Sequence, residues 1–63
     1  MDKETVKKIR TKALMTQKEF GEIVGVHANV INRWENGRSG ISFAHQRKII
    51  AFCKENGIDF ENI

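Results

Sequence analysis

A single cysteine, no apolar run of membrane-spanning length and only 63 residues set the first limits on this chain. Cys53 alone excludes an internal disulfide and any multi-cysteine metal site, as expected for a reducing, cytoplasmic compartment. No stretch approaches the roughly 20 apolar residues that cross a bilayer. The charged start Met1-Asp2-Lys3-Glu4 lacks the apolar segment of a secretory signal, so a soluble, unprocessed protein with no membrane partner is expected. Equally missing are a nucleophile beside a base, paired carboxylates in a pocket, and a phosphate-cradling glycine loop. His27 and His45 stand at no spacing that suits a metal pair and read as surface or capping residues. The sequence therefore predicts no enzyme, no cofactor and no metal. A chain this short has room for one domain, residues 1–63, and must use each apolar residue economically.

What is present is a net charge of +3, unevenly spread. Residues 1–48 carry ten Lys or Arg against five acids, whereas residues 49–63 carry Lys54 against Glu55, Asp59 and Glu61. A basic early surface suits a polyanionic partner, because each phosphate neutralised releases condensed counterions. Lys3, Lys7, Lys8 and Lys12 by themselves read as a solvated helix face.

Four helical patterns follow one another without a linker. Residues 3–14 place Val6, Ile9, Ala13 and Leu14 at helical spacing. Thr16-Gln17-Lys18-Glu19 is a capping box that starts a second, short helix, which offers Phe20, Ile23 and Val24 to a core and stops near Gly25. His27 to Glu35 shows a third stripe of Val30, Ile31 and Trp34, closed by Asn36-Gly37. After a loop at 38–41, Ser42 is the expected N-cap of a fourth helix carrying Phe43, Ile49, Ile50 and Cys53, ended by Asn56-Gly57. Phe20, Ile31, Trp34, Phe43 and Ile50 read as core, and Cys53 as a small core residue. The tail Ile58-Asp59-Phe60-Glu61 alternates apolar and acidic residues and fits a short strand or an extended arm. The fold class expected is all-α, a compact four- to five-helix domain with a short C-terminal tail.

The informative segment is about 16–36. Two short helices joined by a Gly25-centred turn cross steeply and leave the second projecting, with one face outside. The positions on it not needed for packing are His27, Ala28, Asn29, Asn32 and Arg33. Asn can pair bidentately with adenine, Arg with guanine, and Ala can touch a thymine methyl, so these are groups that the major groove rewards.

Thr16-Gln17-Lys18-Glu19-Phe20-Gly21-Glu22-Ile23-Val24-Gly25-Val26, followed by Val30-Ile31-Asn32-Arg33-Trp34-Glu35-Asn36-Gly37, resembles the lambda repressor and Cro-type (XRE-like) helix-turn-helix family of phage and bacterial transcriptional regulators. The resemblance implies a sequence-specific repressor or Cro-like regulator that binds a double-stranded DNA operator as a homodimer. It implies that Gln17 touches the DNA backbone or a base near it. It implies too that Ala28, Asn29 and Arg33 read bases, with His27 and Asn32 flanking, and that the Asn36 to Arg38 corner lies against phosphates. It further implies a structural pairing of Arg10 with Glu35, and Trp34 is likewise expected to be structural. Gly21 stands where the family usually has Ala; a helix-interior Gly costs roughly 0.5–1 kcal/mol but permits close approach of the next helix. The competing expectation is a protein-interaction module, such as an antirepressor, a modulator of a repressor, or an antitoxin. Such a module would act on another regulator through the exposed helix or through Ile58, Phe60 and Ile63.

Overall fold

The structure is a computed structural model, and it describes residues 1–62. Four helices follow in chain order: α1 (Lys3–Lys12), α2 (Gln17–Val24), α3 (Ala28–Glu35) and α4 (Phe43–Glu55). No strand occurs among the described residues.

Each helix begins on a side chain that accepts from its otherwise orphaned N–H groups. Asp2 Oδ1 accepts from Thr5 N at 2.8 Å and from Thr5 Oγ1 at 2.7 Å to start α1. Thr16 Oγ1 accepts from Glu19 N at 3.1 Å while Glu19 Oε1 accepts from Thr16 N at 2.9 Å, the reciprocal box expected at α2. Ser42 caps α4 through His45 N. These short helices owe their positions to the caps and to tertiary packing, because segments of eight residues are too short to persist alone.

The core is built from all four helices: Val6 and Ile9 of α1, Phe20 and Val24 of α2, Ile31 and Trp34 of α3, and Ile49, Phe52 and Cys53 of α4. Phe20 and Phe52 meet edge to face, their centroids 5.8 Å apart at 76°. Burial pushes the Cys53 thiol pKa up and keeps it protonated, in line with a packing role.

Several expectations of the sequence need correction. Phe43 is 81% exposed rather than core: six residues before Ile49, it lies about a third of a turn off the buried stripe, and Phe52 fills the aromatic place instead. Ile50 is only half-buried, on the flank of that stripe, and Ile23 is 40% exposed. Leu14 does not continue α1. The helix closes at Lys12 with Met15 N donating to Arg10 O and Leu14 N to Thr11 O, a reverse turn that puts Leu14 at φ 59° and leaves it 91% exposed. The tail forms no strand; it covers the core. Ile58 N donates to Cys53 O at 2.8 Å, and Ile58 and Phe60 pack against the core, while Asp59 closes a turn with Glu61 and Asn62. Ile63 lies outside the described residues.

The α2–α3 junction needs two glycines for different reasons. Gly25 caps α2 at φ 87°, a left-handed conformation that a side chain disfavours. Gly21 faces the turn so closely that an added Cβ would stand 2.5 Å from Val26 O and 3.5 Å from Ala28 N. Both Gly25 N and Val26 N donate to Gly21 O, at 2.7 and 2.9 Å, which draws the turn onto the helix.

Two outcomes follow for stability. Gly21→Ala gains helix propensity but must push the turn backbone away, so chemical denaturation should show a net loss of about 1–2 kcal/mol. Trp34→Ala, which empties a site 3% exposed, should lose about 3–5 kcal/mol in the same measurement; a variant as stable as the parent contradicts the core described above.

Candidate nucleic-acid interface

With about 3.6 residues per turn, α3 sorts its side chains by face. Ile31 and Trp34 are buried, Val30 and Glu35 are half-buried, and Asn29, Asn32 and Arg33 share the exposed face at relative spacings i, i+3 and i+4. The sequence expectation that these three point outward is therefore met in position. Ala28 is half-buried beside the turn, where it lines a shallow groove of about 420 Å³ with Lys18, Glu22, Val26 and His27.

His27 is exposed and is the N-cap of α3, its Nδ1 accepting from Asn29 N at 3.1 Å. The imidazole is thus partly committed to the helix that it precedes. His45, the other histidine, lies on α4 beside Trp34. Its ring centroid is 5.4 Å from that of Trp34, and its Nδ1 is 2.9 Å from Ser42 Oγ.

Three helices meet at Glu35, whose side chain is only 5% exposed. Arg10 Nε donates to Glu35 Oε2 at 2.6 Å and Arg10 Nη2 to Oε1 at 3.0 Å, a two-pronged pair between α1 and α3. Gln17 Nε2 of α2 donates to the same Oε1 at 3.2 Å, and Arg10 Nη1 reaches Met15 O at 3.0 Å. The expected Arg10–Glu35 pair is present. Gln17, read from the sequence as facing DNA, is half-buried and spends one amide N–H on Glu35. Asn36 is similarly occupied: its Nδ2 donates to Asn32 O at 2.8 Å and closes the end of α3. Arg38 is exposed on the following turn, its backbone N–H bonded to Arg33 O.

Two residues enter this region that the sequence pattern did not single out. Lys48 Nζ of α4 lies 3.3 Å from where a Cβ on Gly25 would stand, at the C-terminal end of α2. Lys3 Cδ of α1 lies 3.2 Å from the corresponding position on Gly37. Neither approach follows from local periodicity, since the partners are over twenty positions apart in the chain.

The class that this geometry defines is a helical domain in which two short helices, joined by a tight glycine turn, sit at the centre and the second keeps a polar face outside. A family model described as helix-turn-helix matches residues 6–59, most of the chain, and the chain belongs to that family. Membership makes it a DNA-binding helix-turn-helix regulator, in accord with the lambda repressor and Cro-type resemblance. No curated protein sequence and no solved structure matches it. No helix among the described residues is long and apolar enough to cross a membrane.

The acid branch of the stability curve tests the Glu35 junction. Burial raises the Glu35 pKa, but hydrogen bonds from Arg10 and Gln17 and the charges of Arg10 and Lys7 outweigh it, so the net shift is downward from the ordinary 4.5. A carboxylate held low contributes stability that is complete above its unfolded value and disappears as pH falls through the folded one. Glu35→Gln should therefore be less stable than the parent by a constant margin above about pH 4.5, and the margin should narrow at lower pH. Thermal melts across pH 2.5–7 read this difference; a margin independent of pH removes the charge from the explanation.

Proposed function

We propose that the protein is a sequence-specific regulator of transcription that lays α3 in the major groove and reads bases with Asn29 and Arg33. Ala28, His27 and Asn32 flank that contact. The observation that carries this reading is the face of α3 itself. Every polar side chain on it is exposed, while the opposite face is anchored by Ile31, Trp34 and Glu35. A face that was merely solvated would be expected to carry Glu and Lys. This one carries two amides, a guanidinium and a small methyl side chain, the groups whose donors and acceptors match base edges.

Gln17, at the start of α2, and Arg38, after α3, take phosphate contacts that set register. Gln17 keeps its second amide proton for that contact, its first being held by Glu35. Asn36 contributes the one amide N–H not used in closing α3. Such a small interface gives limited affinity, so the working form is a homodimer on half-sites about one helical turn apart, and occupancy of an operator blocks polymerase. A cytoplasmic protein of phage or bacterial type is the setting that fits. Packing of Ile58 and Phe60 on the core counts against the alternative of an interaction module that uses a free apolar tail.

Selection of bound duplexes from a random pool by the purified protein is the direct test, with a consensus expected. On that consensus, Asn29→Ala and Arg33→Ala should each cost about 1–3 kcal/mol and relax preference at one base position. Arg38→Ala should weaken consensus and mixed duplexes alike. Equal losses on both duplexes for the first two variants, or no consensus at all, overturn base reading by α3.

A further inference from the structure

We propose that Lys3, from the first turn of α1, is a phosphate-binding residue of the DNA interface, completing the corner after α3 from a distant part of the chain. This inference rests on the DNA-reading orientation of α3 proposed above and assigns a residue that neither the sequence motif nor the family match singles out.

The corner at residues 36–38 is badly suited to an anion if taken alone. It is the C-terminal, electronegative end of α3. Its backbone donors are already used: Asn36 N bonds Asn32 O at 3.1 Å, Gly37 N bonds Trp34 O at 3.1 Å, and Arg38 N bonds Arg33 O at 2.9 Å. The Asn36 side chain is turned back to Asn32 O. Beyond the one Asn36 amide N–H left over, attraction for a phosphate there comes from cationic side chains, and Arg38 is the one that the local sequence supplies.

The fold supplies another. Lys3, Lys7 and Arg10 stand at i, i+4 and i+7 on one flank of α1, and that flank runs along the end of α3. Arg10 is bonded to Glu35, the Lys7 charge acts on Glu35, and Lys3 reaches furthest, to Gly37. A Cβ on Gly37 would stand 3.2 Å from Lys3 Cδ and 4.0 Å from Nζ, so the lysine stem lies across the corner in close reach of position 37. Lys3 is exposed. The acid nearest in sequence on its N-terminal side, Asp2, is engaged by Thr5. Glu35 is neutralised by Arg10. Glu4, the next residue, is exposed and makes no ion pair with Lys3 among the described residues, so Lys3 offers a solvent-exposed cation against Gly37, the residue before Arg38.

The test uses the full chain and a fluorescein-labelled duplex of mixed sequence, with anisotropy titrations between roughly 50 and 200 mM KCl. Lys3→Gln should weaken binding about three- to tenfold at the low-salt end and reduce the log–log salt slope by about 0.9, the loss of one phosphate contact. Lys3→Arg should restore both. Lys8→Gln is the control, because Lys8 lies on the other flank of α1, where its charge acts on Asp2; its slope should equal the parent's. If Lys3→Gln lowers the melting temperature but leaves the salt slope intact, the lysine serves only the helix end and the proposal is overturned, with DNA reading by α3 untouched. If the parent itself shows no salt-dependent binding to any duplex, the DNA reading fails and the role of Lys3 fails with it.

Discussion

The outward face of α3 is only as well placed as its inward side is held, and that hold centres on the carboxylate of Glu35. One nearly buried group accepts from Arg10 of α1 through two nitrogens and from Gln17 of α2 through a third. A carboxylate removed from water is costly unless it is paired and hydrogen-bonded, so each partner is drawn to a defined place. The consequence is geometric more than energetic. Three helices that share a single acceptor pair cannot rotate independently, and Asn29, Asn32 and Arg33 inherit their direction from that junction.

A second constraint acts at the other end of α3. Gly21 allows the turn to sit against α2 at a distance that no side chain tolerates, and Gly25 takes the left-handed cap. His27 then starts α3 by accepting from Asn29 N. The helix is therefore tied at its first residues by the turn and at its last by Glu35, with Ile31 and Trp34 buried between. Rigid support of this kind is what a surface needs if eight residues are to present several polar groups in register with base edges. It also explains why Asn29, Asn32 and Arg33 on the outward face of α3 are free: the anchoring is done by Ile31, Trp34 and Glu35.

Much of this was legible in the chain. The capping box at Thr16–Glu19, the stops at Gly25 and Gly57, the Ser42 cap and the stripe of Ile31 and Trp34 are local signals, and local signals depend on a few neighbouring residues. Their failures are also instructive. Leu14 continues the apolar period of α1, yet the backbone closes before it. Phe43 is as apolar as Phe52, yet six residues from Ile49 it falls outside the buried stripe. Composition does not distinguish these cases, because the phase of a helix against its neighbours is set by packing.

The amino-acid order by itself determined the helical class, the helix-turn-helix at its centre and the chemistry displayed on α3, since capping, periodicity and side-chain type are properties of short segments. The tertiary structure alone decided that Gln17 and Asn36 are partly spent inside the protein, that the tail covers the core, and that Lys3 lies beside Gly37. Those are meetings between residues far apart in the chain, and only the close packing of the four helices brings them within reach.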